Sequence, residues 1–282
     1  MLKVLKIFIP VMLCQQKSEP FNDGGWIFEK KLDGIRCVFR IDFEENYLFI
    51  QNRHTISNLA KVFPEFSLDL LKKTIPNIKS VILDGEIVNG DGKTSDYHNP
   101  NFKTRTHIQS VLRAKFLSRL FPLNYFVFDI LFLNGEDLRN KPLMDRKKIL
   151  NEVIKETERV KIVKFVESNG KEFYQKMLEN GFEGMVCKDR NSIYENKRSP
   201  SWIKVKPILK MVVGVLDYKE TSGWGSFGAL ITPNGDVSFN SELERQEYFR
   251  RKKLGKVNIE VRYQELIPES NKFRFPKFNK FI

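Results

Sequence analysis

Cysteine and histidine are scarce in this chain, three of each among 282 residues. Cys14, Cys37 and Cys187 are widely spaced and no histidine lies near them, so they offer no zinc spacing. An odd, sparse cysteine count also suits a reducing compartment better than a disulfide framework. Long apolar runs are missing as well. The N-terminal stretch Ile7 to Leu13 follows Lys3 and Lys6 as a secretory leader would. It is short, though, broken by Pro10, and followed by Cys14-Gln15-Gln16 with no small-residue cleavage site. Nothing else nears the length of a transmembrane span, and there is no internal repeat or low-complexity tract. Negative charge is in deficit: 35 Asp+Glu against 48 Lys+Arg leaves a formal +13. Such a surplus tracks a polyanionic partner, nucleic acid before acidic membrane, with a merely lysine-rich surface as the plainer alternative. Hydrophobic content of 41% and charged content of 29% describe an ordinary globular protein, long enough for one large domain or a large and a small one.

The pattern along the chain reads as mixed α and β. Trp26 to Ile41 is strand, turn and strand around Asp33-Gly34. Ser57 to Lys73 has helical spacing, interrupted near Pro64. Val81 to Val88 is a buried strand carrying acids, and 89–101 is a polar loop. Tyr125 to Phe132 is a second apolar strand, followed by the hairpin signal Asn134-Gly135. Asp145 to Glu158 and Lys171 to Asn180 are amphipathic helices. Met185 to Lys188 and Trp202 to Lys206 are short strands, the latter with Ile203 and Val205 on one face and Trp202, Lys204 and Lys206 on the other. From about Leu209 short strands and glycine turns follow, including Ser222-Gly223-Trp224-Gly225. They are interrupted by one helix from Ser241 to Leu254, opened by the capping box Ser241-x-x-Glu244. Strands plus one helix in so short a tail fit a small OB-type barrel.

The segment Lys31-Leu32-Asp33-Gly34-Ile35-Arg36 carries the most chemistry. It sets a lysine two residues before an Asp-Gly turn and closes on an arginine, and a neutral lysine amine can act as a covalent nucleophile toward phosphorus. Further candidates follow in order: Glu29 two residues before Lys31, Arg53, Glu86 in Leu83-Asp84-Gly85-Glu86, and Phe128 in Phe128-Asp129-Ile130-Leu131. Glu183-Gly184-Met185-Val186 and Trp202-Ile203-Lys204-Val205-Lys206 complete the set. Singly, each has a plain reading: Phe128 as core, Glu86 and Glu183 as strand-end acids, Lys204 and Lys206 as the wet face of an edge strand, and Lys31 as half of a surface pair with Asp33. Their order overturns those readings.

This ordered set resembles the covalent nucleotidyltransferase superfamily, and within it the ATP-dependent DNA ligases of small bacterial or phage type, over about residues 8–278. The resemblance implies an α+β architecture: a nucleotidyltransferase domain of ATP-grasp-like mixed sheets over 1–207, then an OB-fold β-barrel over 208–282. It implies that Lys31 takes AMP from ATP and passes it to a 5′-phosphate, after which a 3′-hydroxyl displaces AMP. Nearby cations and partial burial are then expected to lower the Lys31 pKa from its free value near 10.4. Glu29 is expected by the adenine with Phe128 stacked on it. Arg36 and Arg53 reach ribose and phosphate, and Lys204 and Lys206 supply charge near the α-phosphate. Glu86 and Glu183 hold Mg²⁺ (or Mn²⁺) or a ribose hydroxyl. The basic residues Arg198, Arg274 and Lys277 are expected on DNA, within clusters that include Lys188–Arg190, Lys197–Arg198, Arg250–Lys253 and Lys272–Lys280. The implied partner is nicked double-stranded DNA, bound by a monomer in the cytoplasm with no membrane association. Roles in replication, repair or recombination go with it.

The end of the chain departs from the family: the lead-in Phe273-Arg274-Phe275-Pro276 is present, but the Arg-x-Asp-Lys type motif is not. Thr221 to Phe227 also leaves little room for a DNA-wrapping insertion. An RNA ligase, an mRNA-capping guanylyltransferase, or a basic OB-containing protein that binds nucleic acid without chemistry remain alternatives. The Arg198-x-x-x-Trp-Ile-Lys-Val-Lys segment resembles DNA ligases more than the first two.

Overall fold

A computed structural model describes residues 8–54, 57–108, 110–220, 227–267 and 269–282. It divides into two compact units, Met1–Val205 and Lys206–Ile282. The apolar run at 7–13 is described from residue 8 onward, and Ser222 to Gly225 lie outside the described residues.

The first unit is built on two mixed sheets. One has strand order β1 (Leu13–Lys17), β11 (Arg198–Val205), β10 (Met185–Asp189), β2 (Asp23–Lys30), β9 (Phe165–Ser168). The other runs β4 (Tyr47–Asn52), β3 (Ile35–Asp42), β5 (Ser80–Val88), β6 (Asn124–Leu133), β7 (Glu136–Asp137), with β8 (Val160–Ile162) parallel to β6. β5 and β6 are nearly continuous apolar runs, as expected of strands covered on both faces. The outer face of the second sheet carries the largest core cluster, in which Phe39 stacks on Tyr125 at 3.8 Å between ring centroids. Between the sheets lies a smaller cluster of Met12, Val38, Ile82, Leu131, Tyr194 and Trp202.

Two stretches differ from the sequence reading. The polar segment 89–101 is partly helical, with helices at Thr94–His98 and Pro100–Thr106. Asp96 accepts backbone N–H bonds from Asp91 and Lys93, Asn99 caps the second helix, and Pro100 at its first position brings its backbone angle already set. The helix expected to reach Glu158 is Leu143–Val153. Beyond it the chain is drawn into tertiary bonds, with the Lys155 N–H donating to the Thr74 carbonyl and Glu156 accepting from Ile162.

The second unit has three small antiparallel sheets: β12 (Leu209–Gly214), β16 (Asn258–Tyr263) and β19 (Lys277–Phe281); β13 (Asp217–Lys219), β14 (Ala229–Thr232) and β15 (Gly235–Ser238); and the pair β17 (Glu265–Ile267) with β18 (Lys272–Arg274). Helix Glu242–Lys252 is capped by Ser241, as expected, and Tyr248 anchors it in an apolar cluster with Leu230, Val237 and Ile259. The pairings among the described strands do not close into a barrel.

Candidate active site

Lys31 is fixed by its backbone before its side chain is considered. Its N–H donates to the Gly184 carbonyl at 3.0 Å, and the Asp33 N–H donates to Gly92 at the same distance. Gly34 makes the turn into β3 possible, because a Cβ there would lie 2.3 Å from the Ile87 carbonyl oxygen. Gly184 has φ +134, a conformation that L side chains rarely adopt. The latch between Lys31 and Gly184 sets the buried Glu183 carboxylate directly against the Lys31 ammonium, and the two form an ion pair. Burial pulls the Lys31 pKa down, but the carboxylates of Glu183, Glu86 and Asp33 outweigh it and hold the ammonium above its ordinary range. This corrects the expected lowering: the first neighbours of the amine are acids.

Glu86 stands on β5 opposite Arg36 of β3. Burial pushes its carboxyl up to about 8, against the opposing pull of Lys31 and Arg36 and with the help of Asp84 and Glu183. Arg36 grips the fully buried Asp84 with two nitrogens, Nε at 3.0 Å and Nη2 at 2.5 Å, and donates through Nη1 to the Met12 carbonyl at 2.8 Å. The Tyr194 hydroxyl donates to the same carboxylate at 2.6 Å and accepts from the Met12 N–H at 3.2 Å. Phe128 is left without a register partner where Asp84 pairs Asp129 and Gly85 pairs Val127, a bulge that re-aims the ring. The ring is half-buried, with the Arg36 guanidinium 5.1 Å and the Lys188 ammonium 4.4 Å from its centroid.

Glu29 is buried and shared by two lysines. Lys147 of helix Leu143–Val153 pairs with Oε1, and Lys188 of β10 lies 2.7 Å from Oε2. Burial lowers the Lys147 pKa, partly offset by Glu29 and reinforced by Lys188. Lys188 is therefore an interior cation and not a member of an exposed basic cluster, a second correction; its counter-charge on β2 draws it inward. Lys147 and Tyr194 are functional candidates that the sequence reading missed. A signal existed for Lys147: it sits in the apolar stripe Leu143, Lys147, Leu150, Ile154 of an amphipathic helix, where a lysine needs a buried partner. Tyr194, in a loop, carried none.

The remaining candidates are dispersed. Lys204 is half-buried on β11 beside Trp202; burial first, then the charge of Lys31, lowers its pKa. Lys206 lies past the strand, in the second unit, where Nζ donates to Gln264 at 2.9 Å. Arg53 is exposed one residue beyond β4. Arg198 is exposed at the start of β11 and donates to the Cys14 carbonyl. In the second unit Arg274 pairs with Glu265 at 2.7 Å, and Lys277 is exposed at the start of β19.

The donor set near Lys31 suits a divalent cation with few protein ligands. The Glu183 charge helps to raise the proton affinity of Glu86, a repulsion that a divalent ion would relieve. Among the described residues no group of three or more His, Cys, Asp or Glu converges. An ion held here would take the rest of its shell from phosphate oxygens and water, as Mg²⁺ prefers.

Comparison with known proteins points the same way. A family model described as the ATP dependent DNA ligase domain matches residues 11–206. The SPbeta prophage-derived DNA ligase-like protein LigB of Bacillus subtilis is 32% identical over 203 residues, which cover 71% of this chain and 67% of that protein. A probable DNA ligase of Aquifex aeolicus is 34% identical over 294 residues, 96% of this chain and 48% of the relative, so this chain spans about half its length. Among solved structures, a Lig E DNA ligase described as binding DNA with a minimal scaffold shares the fold at a TM-score of 0.66. It is 20% identical and covers 96% of this chain and 99% of that one. A model match across nearly the whole first unit, with a 34% identical relative aligned over almost the entire sequence, makes this chain a member of the ATP-dependent DNA ligase family.

Proposed function

We propose that this chain is an ATP-dependent DNA ligase that seals nicks in duplex DNA through an adenylate on Lys31. The observation that carries the reading is the Lys31 amine held against Glu183 and near Glu86 inside the matched domain. Lys31 loses a proton and its Nζ attacks the α-phosphorus of ATP, forming an N–P bond as the P–O bond to pyrophosphate breaks. AMP then passes to the 5′-phosphate at the nick, and the 3′-hydroxyl displaces it. A divalent ion at Glu86 and Glu183 would neutralise phosphate charge.

In this reading Phe128 stacks on the adenine beside Glu29. Arg36 and Arg53 serve ribose and phosphate, and Lys204 places charge at the α-phosphate; Lys206 keeps that role by its motif alone. Arg36 is pre-oriented for it by Asp84, which fixes the guanidinium plane. Arg198, Arg274 and Lys277 contact DNA phosphates. The second unit is read as an OB-fold module, on its short strands and single capped helix. The chain is read as a monomer that holds nicked duplex DNA, and the Lig E neighbour's description, DNA binding with a minimal scaffold, fits the DNA part of that reading. No helix among the described residues is long and apolar enough to cross a membrane.

The test is incubation with α-labelled ATP or GTP, followed by nick sealing on DNA and RNA duplexes. The expected label comes from ATP only, is acid-labile and alkali-stable, and chases into sealed DNA. Labelling by GTP would favour the capping reading, and no label with intact nucleic-acid binding the non-catalytic one. Affinity for nicked duplex should fall steeply with salt and vary little with sequence, since phosphates are the main contacts. A flat plot of log affinity against log salt would contradict it.

A further inference from the structure

Helix Gly170–Glu179 covers the outer face of the first sheet, where Phe173 and Tyr174 pack against Phe28. Residues alternate along β2, so Lys30 projects to this face with Phe28, and Glu29 projects to the opposite one. Beside Lys30 lies a cavity of about 390 Å³. Its floor is apolar, made by Phe126 and Ile162 of the second sheet and by Phe173 and Met177 of the helix. Its rim is ionic, with Lys30, Lys161 and Lys164 facing Asp91 and Glu156. These charges do not balance. Glu156 is engaged, pairing with Lys164 at 3.2 Å and accepting the Ile162 N–H at 2.7 Å. Lys30 donates to the Asp91 backbone carbonyl at 3.4 Å, and neither it nor Lys161 is ion-paired among the described residues. Both ammoniums gather on one ring instead, 4.3 and 5.6 Å from the centroid of Phe126. Burial lowers the Lys30 pKa; Asp91 and Asp96 offset part of that, and Lys161 and Lys93 add to it. Two like charges over an apolar floor repel one another until an anion enters. Three ammoniums against two carboxylates leave one positive charge in surplus.

We infer that this cavity binds a flat aromatic ring carrying one negative charge, the ring on Phe173 and Met177 and the acid group between Lys30 and Lys161. The volume lies near the lower end for small-molecule sites and suits one ring or two fused rings. A thioether and aromatic side chains in the floor favour an aromatic occupant over an alkyl one. A single negative charge answers a surplus of one, and a triphosphate would exceed it. The site lies on the other face of β2 from Glu29, so it is separate from the one proposed for ATP and independent of what Lys31 does. Free aromatic acids and an unstacked nucleotide of a single strand share this chemistry.

The probe is naphthalene-2-sulfonate, titrated into the full chain by calorimetry in chelator. One molecule should bind per chain, with a Kd of about 100 μM or tighter. The neutral naphthalene-2-sulfonamide and the alkyl octanesulfonate should each bind roughly tenfold more weakly. Lys161→Gln should weaken the sulfonate about tenfold, and Met177→Glu, which cancels the surplus charge at the floor, should abolish saturable binding. Saturating ATP should not displace the probe. Displacement by a short oligothymidylate assigns the cavity to a nucleotide of a strand; without it, the occupant is a free acid. The inference is overturned if no saturable binding occurs, if ATP displaces the probe, or if either control compound binds as tightly as the sulfonate. It is also overturned if both variants, shown folded by circular dichroism, bind as the wild type does. Should a variant not fold, the three compounds on the wild type decide alone. A wild type that binds the probe but takes no label from ATP sinks the ligase reading and leaves this site standing.

Discussion

The first unit holds two kinds of ionic network within a few residues of one another, one sealed and one open. In the sealed kind, Asp84 takes two bonds from Arg36 and one from Tyr194, and every carboxylate oxygen is spoken for. In the open kind, Lys31 retains 19% side-chain exposure and faces the Glu183 carboxylate, with Glu86 and Asp33 nearby. Sealed pairs fix geometry, because breaking one strands a buried charge. The open one keeps a partly exposed amine beside an acid held protonated by burial, and a cation arriving with a phosphate substrate would let that acid ionise. The difference separates residues that hold the site from residues that react in it.

The largest effect should come from the open network. Lys31→Ala is expected to abolish covalent labelling by ATP without unfolding the protein, at some cost in stability because the buried Glu183 loses its partner. Persisting label on another lysine would show that the open site is not where the chemistry occurs. Glu183→Ala should lower the labelling rate by roughly 10²-fold in a Mg²⁺-dependent way. It should also move the pH profile in a defined direction. Lys31 must be neutral to attack, so the rate rises as pH approaches its pKa. Glu183 holds that pKa above the ordinary lysine value, so its removal shifts the alkaline rise to lower pH. An unchanged profile would mean that the ion pair is lost once nucleotide binds.

Much of this contrast was legible in the sequence, and the part that was not has a physical cause. Lys31, Glu86 and Glu183 announce themselves because Asp-Gly and Glu-Gly turns, and acids inside apolar strands, are locally costly features that need a reason. The strand carrying Glu86 follows from a near-continuous apolar run. The neighbours that set their charge states come from far along the chain: Glu183 lies 152 residues from Lys31, and Lys147 lies 118 from Glu29. Composition gives no view of such distances, which is why the Lys31 shift was read with the wrong sign and Lys188 was counted as surface. The helices at 94–106 were hidden for another reason, since Asp96, Asn99 and Pro100 suit caps and turns equally well.

Glu86 offers an intermediate test, on stability. Folding raises its carboxyl from the ordinary 4.5 to about 8, so the unfolded chain releases this proton first. Its contribution is fully favourable below the unfolded value. It is lost progressively as pH rises through about 8, where the native state must carry a buried charge. In metal-free buffer Glu86→Gln should match the wild type near pH 4 and exceed it near pH 9, by up to roughly 5 kcal/mol since each pK unit is worth about 1.4 kcal/mol. Denaturant unfolding at the two pH values measures it. A wild type as stable as the variant at pH 9 would show that Lys31 and Arg36 already neutralise the carboxylate. Added Mg²⁺ should narrow the gap, because it supplies the missing charge in the native state only.

The smallest effect is expected from the sealed network, and it is the sharper test for being small. Tyr194→Phe removes one hydroxyl that donates to Asp84 at 2.6 Å and accepts from the Met12 N–H at 3.2 Å. Arg36 still grips Asp84 through two nitrogens, so the carboxylate is not orphaned, but the Met12 N–H loses its acceptor. The cost should be about 1–3 kcal/mol of unfolding free energy, the range for leaving one buried donor unmade. Labelling of Lys31 by ATP should change by less than threefold at saturating nucleotide, since no group that touches the reacting phosphate has moved. If instead the labelling rate falls tenfold or more while stability barely changes, the hydroxyl is orienting Arg36 toward the nucleotide. The division between holding and reacting residues would then have to be redrawn with Tyr194 on the reacting side.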